Sequence, residues 1–231
     1  METLALSPHL DDAVLSCWHR IDQAPGSKVV TLYSGTPAQT QPSDWDIATG
    51  FASPQEAMAA RREENRRALS DTPSVPVDLG YLEHAYRQRP AEIDRIVQSV
   101  LRVSGSDATF IAAAGISNWF RHVHPDHIAT RRVGQRLIEL GHEVLFYAEI
   151  PYIFPRFSHD NWPAHLWQER IKRKLGMDVA IEPHELTLEQ RQSKRRALAA
   201  YASQLPLLEQ GYRGALTKPS ALRWEVIFRP I

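Results

Sequence analysis

The sequence predicts an α/β protein: a Rossmann-like three-layer sandwich with a mostly parallel sheet and a loop-rich C-terminal segment. Two observations predict this class. Short apolar segments alternate with helical segments over the first two thirds of the chain, and parallel strands need such crossovers because a tight turn cannot join them. The length of 231 residues also fits one compact body. We therefore expect a single domain over residues 1–231.

The first half of the chain supplies three strands and the helices between them. Strands are predicted at residues 3–6, 27–35 and 76–81. After the first strand, Val14, Leu15 and Trp18 recur at helical spacing. After the second, a polar loop with Trp45 leads to a long helix. Its start is marked by the capping hydroxyl of Ser53, which is followed by a proline and by an acid three residues on.

The second half continues this alternation and then breaks it. Strands are predicted at residues 108–115, 143–150 and 224–230. A helix with one apolar face lies at 93–101, and another separates the first two of these strands. From residue 152 to about 186 the chain is rich in proline and aromatic residues, and we expect a lid or a substrate rim there. Thr187 and Gln190 then cap a long helix.

Composition and charge exclude several functional classes. Hydrophobic residues make up 43% and charged residues 23%, which are ordinary globular values. The 27 basic and 27 acidic side chains cancel, so no global field attracts nucleic acid or an anionic membrane. No apolar run reaches the ~20 residues that span a bilayer, and no signal peptide is recognisable. We expect a cytoplasmic protein without membrane insertion that acts on a small molecule. The sequence is compatible with a homo-oligomer.

Two clusters of histidine and aspartate follow predicted strands. His9, Asp11 and Asp12 come after the first strand, and HPDH at 124–127 comes after the fourth. In sheets of this class, ligands gather beyond the carboxyl ends of the strands, so both clusters can face one crevice. Cys17 is the only cysteine, which excludes a thiolate metal cluster. Any metal site must therefore use His, Asp or Glu.

The residue types in these clusters suit a catalytic metal. Catalytic zinc takes three ligands from His and Asp or Glu and keeps a further position for water. His9, Asp12 and His127 supply such a set. Asp11 remains as a nearby carboxylate that can take a proton from the attacking water. His124, one helical turn before His127, can point at the same site.

Each cluster alone also fits a simple helix start. An aspartate at a helix N-terminus satisfies orphan amides and favours the helix dipole, and Pro125 with Asp126 can begin a helix beside solvated histidines. Two independent caps that carry six His and Asp side chains are less economical than one shared site. The pair of clusters therefore favours the metal.

SPHLDDAVLS at 7–16, together with HPDH, resembles the PIG-L or LmbE-like family of zinc-dependent N-acetylglucosaminyl deacetylases. Its signatures are PHxDD after the first strand and HxxH after a later one. WDIATGF, AARREENRRAL, LGYLEHAYR, FYAEIPY and SKRRALAAYASQ also resemble blocks that occur in this order in the family. The resemblance covers most of the chain, from about residue 3 to 210.

The resemblance implies a role for each member of the two motifs. The implied metal ligands are His9, Asp12 and His127. Asp11 is implied as the general base, and His124 as the group that stabilises or protonates the tetrahedral intermediate. Asp126 is implied to orient a histidine from behind.

Substrate-binding candidates rest on weaker patterns. Arg61 matches the family's R-x-x-E helix and is a candidate for holding substrate oxygens, although an arginine in so charged a helix is usually solvated. Tyr152, Trp162 and Trp167 are candidates for stacking on a sugar ring. Glu83 stands where the family more usually has aspartate, a departure that concerns substrate contacts.

Several other polar side chains are expected outside the site. His122 is a rival ligand, but its alternation with His124 aims it elsewhere if the loop is extended. Lys194 lies in a basic helix and is expected to be solvated. The remaining histidines are expected at the surface or in packing: His19, His84, His142, His159, His165 and His184.

The predicted function is metal-dependent removal of an N-acetyl or N-acyl group from an N-acetylglucosamine-type amino sugar in a small-molecule pathway. Zinc is the expected cofactor, and Fe²⁺ or Co²⁺ also suits two histidines and an aspartate. An amidase for a non-sugar substrate is the closest alternative. A non-catalytic carbohydrate-binding module is the alternative of another class. Dinucleotide binding is disfavoured, because the first turn has no glycine-rich phosphate loop.

Overall fold

The computed structural model describes residues 2–22, 24–117, 122–150, 152 and 164–231, with the side chains of 164–167 outside this description. The described strands are β1 (Thr3–Ser7), β2 (Lys28–Thr31), β3 (Val75–Asp78), β4 (Thr109–Ala113), β5 (Val144–Tyr147), β6 (Val179–Glu185) and β7 (Trp224–Pro230). The described helices are α1 (Asp12–Ser16), α2 (Trp18–Ile21), α3 (Asp44–Ala48), α4 (Pro54–Leu69), α5 (Ile93–Val103), α6 (Pro125–Glu139), α7 (Ala164–Leu175), α8 (Leu188–Ala199) and α9 (Leu205–Gly211). A 3₁₀ turn spans His84–Tyr86.

The strands form one sheet in the order β3-β2-β1-β4-β5-β7-β6. β1 to β5 pair in parallel, whereas β7 runs antiparallel to both β5 and β6. The mostly parallel α/β class is therefore confirmed. The order reverses between β1 and β4, and this reversal opens the crevice in which such sheets bind ligands.

Hydrophobic clusters cover both faces of the sheet. On β1, Leu4 and Leu6 pack into the core beneath α5 and α6, while Ala5 packs into the core beneath α1 and α8. This alternation follows from the two-residue period of a strand. Because β1 is covered on both faces, it reads as a continuous apolar run that ends at Ser7. The first polar cluster therefore begins where the burial of this strand ends.

The helix starts predicted from capping residues are confirmed. The Ser53 hydroxyl accepts from the Glu56 amide at the start of α4. Thr187 and Gln190 form a reciprocal capping box at the start of α8. Such caps satisfy backbone donors that the first helical turn leaves without intrahelical partners.

The structure contains helices and a strand that the sequence did not predict. The polar loop that contains Trp45 includes the short helix α3, which begins with a capping box formed by Ser43 and Asp46. The segment from 152 to 186 was expected to be a loop-rich lid or rim, but its second half forms α7 and β6. β6 lies at the edge of the sheet, where Pro183 is tolerated because an edge position needs one hydrogen bond fewer. Residues 153–163 of this segment lie outside the described residues.

The expectation that Lys194 is solvated was wrong. Lys194 is fully buried on the inner face of α8, and its Nζ lies 2.6 Å from an oxygen of Glu225 in β7. His19 also bonds Glu225, at 2.6 Å, so three ionisable side chains form a buried cluster. Helix α8 is amphipathic despite its many charged residues. Lys194 can occupy its buried face because it is paired with the buried carboxylate of Glu225 on β7.

None of the described helices is long and apolar enough to cross a membrane.

Candidate functional site

The two polar clusters meet at the reversal of strand order. β1 and β4 are neighbours in parallel, so their carboxyl ends lie side by side. The first cluster follows β1, and the second begins α6 beyond the end of β4. An oxygen of Asp12, Oδ2, lies 3.3 Å from His9 Nδ1 and 3.4 Å from His127 Nε2. Residues more than a hundred positions apart are thereby brought together, as the sequence predicted.

These separations fit a shared metal ion. Two ligand atoms at about 2.0–2.2 Å from one tetrahedral zinc lie roughly 3.3–3.6 Å apart. The Asp12 oxygen stands at such distances from both imidazoles. A second grouping is also present, because nitrogens of His9, His124 and His127 all lie within 4.8 Å of one another. The geometry therefore allows His9 and His127 to be joined by either Asp12 or His124.

Both imidazoles next to Asp12 are held from behind by a buried carboxylate. His9 Nε2 lies 3.0 Å from Asp126 Oδ2, and His127 Nδ1 lies 2.6 Å from Glu149 Oε1. Such bonds fix which nitrogen of a histidine faces a metal. In each ring the nitrogen that remains is the one that approaches Asp12. This arrangement is the one expected of metal-ligating histidines.

Of the two carboxylates behind the imidazoles, the sequence indicated Asp126 and missed Glu149. Asp126 also accepts from the His84 amide and forms an ion pair with Arg87. It belongs to the HPDH motif and was a candidate for orienting a histidine. Glu149 was missed, although it follows β5 at the same edge of the sheet. An acid directly after a buried strand, in FYAEIPY, was the signal that could have found it.

Asp11 does not serve as a helix cap. It occupies the N-cap position of α1, but no side-chain capping hydrogen bond is formed there. Its carboxylate instead lines a cavity that also contains Asp12 and His127. Burial, together with the negative charge of Asp12, raises the pKa of Asp11 to about 6. The helix-start alternative is wrong for this residue, and a general base is chemically suited to the position.

His124, in contrast, does cap its helix. Its Nδ1 accepts from the Asp126 amide at 3.3 Å, at the start of α6. The neutral ring then carries its proton on Nε2. Burial and the nearby His9 lower the pKa of His124 to about 3, so the ring is neutral at ordinary pH. A neutral imidazole with one N–H can donate a hydrogen bond to a developing oxyanion.

The two imidazoles beside Asp12 favour their protonated forms, which is the charge arrangement that a bound cation would replace. Burial opposes the charged form of His9, but Asp12 and Asp126 outweigh it and raise the pKa of His9 well above its usual value. Burial is likewise outweighed at His127 by Asp12 and Glu149, so its pKa is raised. Burial would raise the pKa of Asp12, but His127 and His9 hold it well below its usual range. A divalent ion would replace the protons held on the imidazoles.

Arg61 is buried rather than solvated. It is 6% exposed, and its guanidinium lies 2.9 Å from Asp46 and 3.2 Å from Glu83. Arg61 and Glu83 both line the cavity, so the helix position that looked merely charged points inward. The solvated alternative is therefore wrong.

Tyr152 lies beside the metal candidates. It is half-buried, lines the cavity, and its ring centroid is 4.9 Å from that of His127. His122, the rival ligand, is exposed and lies outside the group formed by His9, His124 and His127. Trp162 lies outside the described residues, as does the side chain of Trp167.

The cavity has a volume of about 620 Å³. This size is in the range of small-molecule sites, ~300–1,000 Å³. Its lining includes the His and Asp side chains described above. It also includes Trp45, whose indole donates to Gln204 at 2.6 Å, and Leu207, Leu208 and Tyr212 from the α9 region. The cavity thus combines reactive polar side chains with apolar and aromatic ones.

No protein-family model matches this chain. The chain is 25% identical to 2'-N-acetylparomamine deacetylase of Niallia circulans over an alignment that covers 68% of this chain and 70% of that protein.

Several solved structures share the fold. The zinc-inhibited form of teicoplanin deacetylase Orf2 has a TM-score of 0.73 and 20% identity, covering 100% of this chain and 98% of that one. The 4-carboxy-2-hydroxymuconate hydratase GalB from Pseudomonas putida has a TM-score of 0.53 and 15% identity, covering 100% and 95%. The same fold thus carries a hydratase as well as deacetylases, so function must be argued from the site. The shared fold and the deacetylase relative together confirm the resemblance to the PIG-L or LmbE-like deacetylases that the two motifs indicated.

Proposed function

We propose that this protein is a metal-dependent hydrolase that removes the N-acetyl group from an N-acetylglucosamine-type amino sugar in a small-molecule pathway. One observation carries the proposal. A single Asp12 oxygen lies within 3.4 Å of His9 and His127, and the far nitrogen of each ring is bonded to a buried carboxylate. This arrangement faces a cavity that Asp11 lines.

The proposed ligands are His9, Asp12 and His127. Zinc is the proposed metal, because two imidazoles and a carboxylate form one of its usual catalytic ligand sets. Fe²⁺ and Co²⁺ also suit these donors. The similar teicoplanin deacetylase is known in a zinc-inhibited form, which is a reason to test all three metals. Ligation by His124 in place of Asp12 is the alternative set.

Each remaining side chain has a proposed task. When bound, the metal would polarise the acyl carbonyl and lower the pKa of water. Asp11 takes the proton of the attacking water, since its raised pKa lies close to neutrality. His124 donates its Nε2–H to the oxyanion of the tetrahedral intermediate. The hydrogen bond between Asp126 and His9 holds the His9 ring in one orientation during the reaction.

The substrate proposal rests on the relatives and on the cavity. The relative that is 25% identical is named a 2'-N-acetylparomamine deacetylase. One protein with a similar fold is named a teicoplanin deacetylase. The cavity offers the side chains of Arg61 and Tyr152 as candidates for contacts with sugar hydroxyls and with a ring face. A cytoplasmic location stays a prediction.

The proposal is tested by measuring free amine from a panel of N-acetylated amino sugars and N-acylated amino acids, with protein loaded with Zn²⁺, Fe²⁺ or Co²⁺. We expect amine release from the sugars only, and loss of activity when a chelator removes the metal. Release from the amino acids alone would favour the non-sugar amidase. Sugar binding without amine release in any metal form would favour the non-catalytic module.

A further inference from the structure

Glu149 is buried directly behind one of the proposed metal ligands. Its carboxylate is 0% exposed, and Oε1 lies 2.6 Å from His127 Nδ1. Its other oxygen, Oε2, accepts from the amide of Gly115 at 2.6 Å and from that of Ile116 at 3.4 Å. The two carboxylate oxygens therefore have different partners: a ring nitrogen on one side and two backbone donors on the other.

The loop after β4 fixes these donors relative to His127. Gly115 has φ of 56°, in the left-handed region that favours glycine. A Cβ added there would come within 2.7 Å of the His127 carbonyl oxygen. The chain at Gly115 therefore packs closely against His127 as well as against Glu149. The carboxylate, the imidazole and the backbone donors therefore lie in direct contact with one another.

An ionised carboxylate only accepts hydrogen bonds, so it dictates the state of the ring. Glu149 requires the proton of a neutral His127 to lie on Nδ1. Nε2 is then left with a free lone pair, and this is the nitrogen that lies 3.4 Å from Asp12. A proton on Nε2 would block ligation. We infer that Glu149 is a positioning residue that sets the His127 tautomer required for metal binding; the inference rests on the proposed function.

A glutamine at this position would enforce the opposite tautomer. The amides of Gly115 and Ile116 both donate toward the Oε2 position, so the glutamine carbonyl oxygen must occupy it. The NH₂ group is then turned toward His127 Nδ1, which must accept. The proton of the neutral ring moves to Nε2, where the metal should bind. Glu149→Gln is therefore expected to impair metal binding, although glutamine has the same shape as glutamate.

This reasoning predicts an unusual order of metal affinities. Glu149→Ala removes the bond but places no donor at Nδ1, so the ring can still carry its proton there when a metal binds, and Zn²⁺ should bind more weakly than to the parent. Glu149→Gln enforces the wrong tautomer, so Zn²⁺ should bind more weakly still, with a loss of at least the ~10–100-fold typical when the partner of a metal-ligating histidine is changed. A purely structural role predicts the reverse order, because glutamine fills the space that alanine leaves empty.

The experiment measures Zn²⁺ affinity by competition with a chromophoric chelator, without substrate. A matched control is Glu64→Gln, which alters another buried carboxylate, one that bonds the amide and hydroxyl of Ser203. We expect Glu64→Gln to bind Zn²⁺ like the parent. Imidazole ¹⁵N shifts of the metal-free protein in alkaline buffer should show His127 protonated on Nδ1 in the parent and on Nε2 in Glu149→Gln.

Two results would overturn the inference: Glu149→Gln that binds Zn²⁺ as tightly as the parent, or Glu149→Ala that binds it more weakly than Glu149→Gln. If the glutamine variant does not fold, the ¹⁵N shifts of the parent decide alone, and a proton on Nε2 of neutral His127 overturns the inference. No substrate enters these measurements. An absence of deacetylase activity would therefore refute the proposed function and leave this test intact.

Discussion

Two regions of this molecule bury carboxylates beside histidines, and they differ in what the charges face. In the Glu225 cluster, formed by Glu225, Lys194 and His19, every partner belongs to the protein. Glu225 bonds both side chains at 2.6 Å and also accepts from the amides of Trp18 and His19. In the metal candidate site, Asp11 makes no capping bond and lines a cavity of about 620 Å³.

The difference separates a structural use of buried charge from a chemical one. A buried ion pair with all its hydrogen bonds satisfied joins elements, here β7 to α2 and α8. A perturbed carboxylate that opens onto a cavity is a functional candidate instead. Substitutions in the first region should change stability without changing metal binding. Substitutions in the second should change metal binding or turnover at much smaller cost in stability.

The largest effect is expected for His127→Ala. It removes a proposed ligand, so both bound metal and deacetylase activity should fall to background. Metal content after dialysis and amine release measure the two losses. Lys194→Met serves as the comparison from the Glu225 cluster, and its folded fraction should retain metal. Full metal occupancy in His127→Ala would show that this histidine is not a ligand.

Asp11→Asn should separate turnover from binding. The amide cannot take a proton from water, so kcat should fall by ~10²–10⁴-fold, the usual contribution of a general base. Metal content should stay that of the parent, because Asp11 is not among the proposed ligands. An Asp11→Asn protein with parental kcat would remove Asp11 from the role of base.

Lys194→Met should destabilise the protein without affecting the site. It leaves Glu225 buried without its main cation, and breaking one partner of a buried pair costs about 3–5 kcal/mol. Urea unfolding measures the loss in free energy of unfolding, and Zn²⁺ affinity measured below the transition should be unchanged. A loss below about 1 kcal/mol would mean that the pair contributes no more than a surface salt bridge.

A pH dependence of stability should follow from the same cluster. Burial would raise the pKa of Glu225, but Lys194 and His19 outweigh it and lower the pKa to about 2 from the usual 4.5. A lowered carboxylate pKa stabilises the fold above the unfolded-state pKa, and this contribution disappears as the pH falls from 4.5 toward 2. The shift corresponds to about 3 kcal/mol.

Glu225→Gln isolates this contribution from that of other carboxylates. The difference in free energy of unfolding between the parent and Glu225→Gln should shrink by about 3 kcal/mol as the pH falls through this window. Urea unfolding at several pH values measures it. A difference that does not change with pH would mean that the pKa of Glu225 is not lowered by folding.

The sequence was sufficient for the parts of the molecule governed by local rules. Alternating apolar segments indicated β1 to β5, and capping residues such as Ser53 and Thr187 located helix starts. The two motifs located His9, Asp12 and His127, because the first cluster follows β1 and the second begins the helix that comes after β4. These features depend on neighbours in sequence and on the topology that parallel strands impose.

What escaped prediction depends on contacts across the fold. Glu149 looked like the end of a strand until His127 was placed beside it, and Lys194 looked solvated until β7 supplied Glu225. Arg61 lies in a helix of charged residues, and only the approach of Asp46 and Glu83 shows that it points inward. β6 was missed because Pro183 is compatible with a strand only at the edge of a sheet.

The most direct test of the central claim is a crystal structure of the metal-loaded protein with anomalous scattering data. We predict one divalent ion within about 2.0–2.2 Å of His9 Nδ1, Asp12 Oδ2 and His127 Nε2, with a further coordination position open toward Asp11. An ion held by His124 in place of Asp12, or bound away from both loops, would contradict the account.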